Sequence, residues 1–182
     1  MIEKEYSDEM LVKVLQQNIG DKQRAMNELF GRYSNKMLEF FYYSLNKDRE
    51  MAKDFTQELF LKLVEKPERF NLDKTFKTWF YSVASNMCKN EYRKNATEKK
   101  YTEFVVNDNQ SSFDAGNKGG FVINEALTCL KPSHKNSIIL RYKFKMSIRE
   151  MSEILDCPEA TVRSQLFYAT KELSKYLKKE EV

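Results

Sequence analysis

Residues 75–94 read TFKTWFYSVASNMCKNEYRK, and two stripes run through them. Phe76, Trp79, Phe80, Val83 and Met87 recur at the i, i+3, i+4, i+7 spacing of an amphipathic helix, with Thr75 placed to cap its start. Ser82, Asn86, Lys89 and Arg93 follow on an adjacent face, and the chain's only tryptophan, Trp79, borders this polar row two helical turns before Asn86. A ring to stack on, an amide for a base edge and cations for phosphate are what a single nucleic-acid strand requires. A core helix with a solvated polar face carries the same pattern, so the neighbouring sequence has to decide.

Upstream, Ser7 and Asp8 offer an N-cap for a helix bearing Met10, Leu11, Val14 and Leu15, and the run from Asn18 to Asp21 ends it and starts another. The second helix has Met26, Leu29, Phe30, Tyr33, Met37, Phe41 and Leu45 as its apolar side. Residues 46–48 break the pattern, and Asp48 caps a third helix through Val64, with Ala52, Phe55, Leu59 and Leu63 turned to the core. Asp54, Gln57, Glu58, Leu61 and Lys62 point elsewhere and make a mixed acidic and apolar surface. Such a surface suits a partner helix, and equally a solvated face. Pro67 stops that helix, and residues 68–74 form a loop held beside the polar row of the next one.

Downstream, periodicity fades. Residues 96–121 include NDNQSS and NKGG and read as a flexible linker between a first domain, 1–95, and a second, 122–182. Its Tyr101, Phe104, Val105 and Val106 are candidates for docking elsewhere. A short helix reaches Leu130, Pro132 and Ser133 restart the chain, and Ile138, Ile139, Leu140 and Tyr142 are expected to be buried. Ser147 then caps a helix with Ile148, Met151, Ile154 and Leu155 inward, and residues 156–158 turn. A long helix follows with Val162, Leu166, Ala169, Leu173 and Leu177 inward. Two helices joined by so tight a turn form a helix-turn-helix, and Thr161, Arg163, Ser164, Gln165 and Tyr168 lie on the half of the second helix that enters a major groove. The expected fold is therefore all-α, in two small helical domains.

Composition agrees. Among 182 residues, 41% are hydrophobic and 32% charged, with five Gly and three Pro, enough for one ordinary core or two small ones and too few turn residues for an all-β protein. The net charge of +4 is mild, but it is segregated: residues 131–149 hold six basic side chains and no acid, and residues 74–94 hold five against Glu91. Cys88, Cys129 and Cys157 are far apart and read as reduced, mostly buried thiols, neither a disulfide framework nor a zinc site. His134, the only histidine, has no ligand-spaced neighbours, so no metal and no cofactor is expected. No nucleophile with a paired base and no glycine-rich phosphate loop argues for an enzyme. The first ten residues lack a signal-peptide pattern and no window approaches eighteen apolar residues, which leads to the expectation of a soluble, cytoplasmic protein.

Two separated segments resemble a known family. Residues 54–94, DFTQELFLKLVEKPERFN and FKTWFYSVASNMCKNEYRK, resemble region 2 of the bacterial sigma factors of the extracytoplasmic-function (ECF) group: a D-x-x-Q-E-x-F-L run, a loop, an F-x-x-W pair and a helix ending in basic residues. Residues 130–173 resemble region 4, and order, spacing and linker agree. The resemblance implies a specificity subunit of RNA polymerase that contacts the β′ clamp helices and the β flap. Asp54, Gln57, Glu58 and Phe60, with Leu61 beside them, match the positions that engage the clamp helices. The loop from Phe70 to Thr75, with its Asn71 and Lys74, together with Lys77, Trp79, Asn86, Lys89 and Arg93, would hold unstacked bases of the minus-10 element, Trp79 either touching a base or packing beneath the site. The second domain would read the minus-35 element as duplex through Arg163, Ser164 and Gln165, near Thr161 and Tyr168, with Lys143, Arg149 and Lys171 on phosphates. An anti-sigma factor is the further partner the family implies. Phe167, Tyr168 and Thr170 stand where the family commonly has His or Arg, and Lys145 and Asp156 where it has glycine. The competing reading is a helix-turn-helix regulator that binds duplex DNA without joining polymerase.

Overall fold

The computed structural model describes residues 6–17, 20–46, 48–101 and 126–180. Among them every regular element is helical. The order is α1 (Asp8–Gln17), α2 (Lys22–Ser44), α3 (Arg49–Glu65), a 3-10 turn (Pro67–Arg69), α4 (Phe76–Tyr101), α5 (Pro132–Ile138), α6 (Ile148–Leu155) and α7 (Glu159–Glu180). α4 continues past residue 95, where the linker was expected to begin, as far as Tyr101. Residues 102–121, with Phe104, Val105 and Val106, lie outside the described residues.

Caps set most helix starts. Asp21 accepts from the Arg24 N–H at 2.9 Å and Asp48 from the Met51 N–H at 2.9 Å. Ser147 and Glu150 close a full capping box on α6, each side chain accepting the other's backbone N–H. Thr75 holds the N-cap position of α4, its carbonyl accepting the Trp79 N–H at 3.2 Å, but among the described contacts its side chain makes no capping bond. The N–H of Phe76 instead donates to Glu9 Oε1 of α1 at 3.0 Å, a cap supplied from 67 residues away.

The core of the first half is an aromatic stack. Tyr33, Phe60, Phe76 and Phe80 meet edge-on or stacked, with centroids 5.0–5.6 Å apart, geometry that adds to simple burial. The core does not stop at the domain boundary. Among the described residues one apolar cluster runs from α1–α4 into Ile139, Leu140, Met146, Met151, Ile154, Leu155 and Val162, while Leu130, Ile138 and Ala169 form a small cluster of their own. Tyr142, expected inside, is exposed. Residues Ile139–Lys143 form a π-helical turn after α5, and the extra residue per turn rotates Tyr142 outward. Phe144 takes the inward place, against Phe40 at 6.0 Å and Tyr81 at 5.3 Å. Cys88 is buried as expected, whereas Cys129 is exposed.

Candidate nucleic-acid interface

Three surfaces were expected to act, and the structure disposes each differently. On α3, Asp54, Gln57, Glu58 and Leu61 are exposed in one strip, with Leu61 56% and Val64 52% accessible. Phe60 is not part of that strip. It is buried, its ring 4.9 Å from the half-exposed Phe30 and 5.3 Å from Phe80, so it supports the surface from beneath. Glu58 is paired with Lys62 at 2.8 Å, an exposed pair that costs little to break.

The loop between α3 and α4 presents Asn71, Asp73, Lys74 and Thr75 to solvent. Asn71 Oδ1 accepts the Asp73 N–H at 2.9 Å and its carbonyl the Lys74 N–H at 3.0 Å, a local turn that holds the loop's own shape. Phe70, expected among the contacts, is buried at 2% accessibility against Phe76 and Trp79. It forms the floor of the loop. Trp79 is half-buried between Phe70, Phe76 and Phe80, so packing holds its ring while part of the residue stays accessible.

The polar row of α4 is partly occupied by the second half of the chain. Lys77 Nζ meets Glu150 Oε1 at 3.0 Å and Lys89 Nζ donates to the Leu155 carbonyl at 3.2 Å. Asn86 and Arg93 stay exposed. The Ser147 backbone N–H, with Lys77 adding to it, holds the Glu150 carboxyl below the usual carboxylate range. Further ties join α2 to the second half: Lys143 lies 3.6 Å from Glu39 and over the Tyr43 ring at 4.4 Å, and Lys135 donates to Asn46 Oδ1. Burial draws the Lys135 ammonium down to about 8. A cleft of about 550 Å3 results, where Lys89 and Arg93 face Lys131, Asn136 and Gln165.

On α7, Thr161, Arg163, Ser164, Tyr168 and Lys171 are exposed along the helix-turn-helix. Arg163 is paired with Glu159 at 2.8 Å and Ser164 donates to the Ala160 carbonyl at 3.0 Å. Gln165 departs from expectation: it is half-buried, and its Oε1 accepts the Ser137 hydroxyl at 2.7 Å, which occupies it within the fold. Phe167 and Tyr168 stand exposed edge to face, centroids 5.4 Å apart. Arg149 is exposed beside Glu153. Among the described residues no group of three His, Cys, Asp or Glu is placed to hold a metal, and no helix is long and apolar enough to cross a membrane.

Comparison with known proteins gives this arrangement its family. The model of Sigma-70 region 2 matches residues 29–98 and that of Sigma-70, region 4 matches residues 121–173. The ECF RNA polymerase sigma-E factor of Haemophilus influenzae is 30% identical over 180 residues, covering 90% of this chain and 91% of that protein. The chain belongs to the ECF RNA polymerase sigma factors. The ECF RNA polymerase sigma factor SigW of Bacillus subtilis is 25% identical, over 93% of this chain and 98% of its own length. Among solved structures, the sigma factor RpoE in complex with the anti-sigma factor NepR from Bartonella quintana matches with a TM-score of 0.70 at 21% identity, over 84% of this chain and 96% of that one. CnrH in complex with the cytosolic domain of CnrY matches with a TM-score of 0.68 at 20% identity, over 94% and 97%. As a sigma factor the chain joins core RNA polymerase and directs it to promoter DNA to initiate transcription. The reading as a regulator that never joins polymerase is not favoured.

Proposed function

We propose that this sigma factor divides its work between residues 1–95, which bind the β′ clamp helices and the minus-10 element, and residues 122–182, which meet the β flap and the minus-35 duplex. Polymerase performs the chemistry, in the cytoplasm, and the sigma factor contributes recognition and strand capture alone. The observation that supports this most is the α3 strip. Asp54, Gln57 and Glu58 stand exposed beside two apolar side chains that are more than half accessible, Leu61 and Val64, a combination that fits an amphipathic, basic helix of a partner. Glu58→Arg reverses the charge at an exposed position and leaves the core intact. The expected result is loss of co-purification with core polymerase at an unchanged melting temperature, and undiminished association contradicts the assignment.

Strand capture then falls to Asn71, Lys74, Asn86 and Arg93 around Trp79, with Lys77 and Lys89 joining when the second half leaves. Flipping a base out of the stack costs a few kcal/mol, which stacking at about 1–3 kcal/mol per base and phosphate contacts offset. Elements named for positions ten and thirty-five lie roughly 85 Å apart along B-form DNA at 3.4 Å per base pair. The docked halves, with Lys77 and Lys89 bonded to α6, therefore represent the resting state, and promoter binding requires their separation. An anti-sigma factor is the partner that would hold the halves closed, and co-expression with neighbouring gene products tests for it.

A further inference from the structure

The minus-10 loop is anchored at both ends by a helix that supplies no residue to the three surfaces above. α1 supplies both anchors. Gln16 of its last turn directs Nε2 at two carbonyls, Pro67 at 2.9 Å and Phe70 at 2.7 Å. These bracket the 3-10 turn, and they use both hydrogens of the amide. Glu9 of its first turn accepts the Phe76 N–H at 3.0 Å, placing a carboxylate on the positive end of α4. Between the two anchors, residues 71–74 carry the local Asn71 turn, with Leu72 part-buried against the core, while the Thr75 carbonyl accepts the Trp79 N–H at 3.2 Å as α4 begins.

The apolar contacts fall on the same two points. Phe70 and Phe76, the residues that Gln16 and Glu9 hold by their backbones, are buried and pack edge to face at 5.5 Å. α1 is itself fixed to α2, Asp8 accepting from Arg32 at 2.7 Å and from the Tyr33 hydroxyl at 2.5 Å. Burial and the Asp8 carboxylate push the Tyr33 hydroxyl well above its ordinary range, so it stays a donor. Polar contacts thus lead from α2 through α1 to both ends of a five-residue arc, residues 71–75, exposed except at the part-buried Leu72.

We infer that Gln16 and Glu9 are positioning residues for minus-10 readout: they set the height and width of the 71–75 arc, and through it which base the loop accepts. The inference rests on the reading of that loop as the minus-10 contact. Neither side chain reaches DNA in this scheme. A pocket that discriminates bases by hydrogen bonds loses selectivity when its walls shift by a fraction of an ångström, whereas a loop that merely closes the fold does not.

The test uses full-length protein in holoenzyme, on a promoter set carrying each base in turn at every minus-10 position, with thermal unfolding measured in parallel. Gln16→Leu removes both donors at similar volume, and Glu9→Ala removes the cap. Each is expected to cut the ratio of preferred to disfavoured base about tenfold, as the loss of one or two hydrogen bonds allows. The response to minus-35 substitutions should stay unchanged. Glu9→Gln, which keeps the accepting oxygen, is expected to restore the ratio. A lowered melting temperature with an unchanged base ratio overturns the inference, because that is the signature of a purely structural tie. If Gln16→Leu does not accumulate as folded protein, Gln16→Asn, too short to span both carbonyls, is read by the same criteria. Asn71→Ala and Lys74→Ala separate the two levels. If they leave the base ratio intact, the loop is not the reader and both readings fall; if they alter it while the α1 variants do not, only the positioning role falls.

Discussion

Lys77 Nζ lies 3.0 Å from Glu150 Oε1, joining the first turn of α4 to the capping box that opens the helix-turn-helix. The pair is part-exposed on both sides, so it is worth at most about 1 kcal/mol. It marks where the halves meet more than it holds them. The holding force is apolar, with Phe144 inserted beside Phe40 and Tyr81.

Phe144→Ala is therefore expected to weaken docking by about 2 kcal/mol, less than for a fully buried ring, and Glu150→Gln by under about 1 kcal/mol. Small-angle scattering reads the difference: the radius of gyration should rise clearly for Phe144→Ala and barely for Glu150→Gln. Equal scattering from Phe144→Ala and the parent would show that the ring does not close the molecule.

Lys135 gives the docked state a pH dependence. Buried against Asn46, its ammonium titrates at about 8 instead of 10.5. Below about 8 it is charged whether folded or unfolded, and its burial cost is constant. Between about 8 and 10.5 the unfolded chain keeps a proton that the folded chain has lost, so this group makes stability rise with pH across that window. Lys135→Met should raise stability at pH 7 by about 1–3 kcal/mol and flatten the rise relative to the parent. Parallel pH profiles for the two proteins would contradict the assignment.

Lys145 and Asp156 hold left-handed backbone, at φ of 55° and 53°, which explains why glycine is usual at these positions in the family. A side chain there costs about 1–2 kcal/mol, part of which glycine returns as unfolded-state entropy. Lys145→Gly should stabilise the protein by about 0.5–1 kcal/mol, read in urea unfolding. Asp156→Gly and Asn46→Gly, at φ of 53° and 54°, should gain less, since aspartate and asparagine tolerate this region.

In the minus-35 helix, Arg163 and Gln165 should separate. Exposed Arg163 needs only to leave Glu159, and Arg163→Ala is expected to weaken minus-35 recognition by roughly 1–3 kcal/mol. Gln165 is bound to Ser137, so Gln165→Ala should lower the melting temperature more than it changes base preference. The reverse order in a minus-35 base-substitution series would refute this division.

Much of this was legible in the residues. Period 3.6 patterns, the break from Asn18 to Asp21, Asp48 and Ser147 as caps, and the tight turn at Asp156 all describe local geometry, which sequence spacing encodes directly. What was not legible depended on contacts far apart in the chain. Thr75 looked like the side-chain cap of α4, which Glu9 supplies across 67 residues. Tyr142 turned outward, with Phe144 packing inward after it, because a π-helical turn breaks the 3.6 period. Phe60, Phe70 and Gln165 carry the right residue types for an interface yet face inward, since motif spacing names a position without giving its depth. The shared core between the halves left a trace only in the width of the α4 apolar face, where Tyr81, Ala84 and Cys88 are buried besides the expected stripe.

The central claim is that the chain confers promoter specificity through core polymerase. Run-off transcription with purified core polymerase, with and without this protein, on promoters from its own genome tests it most directly. The account predicts discrete transcripts that appear only with the protein and vanish with Glu58→Arg. No added transcript, together with no association with core polymerase, would contradict it.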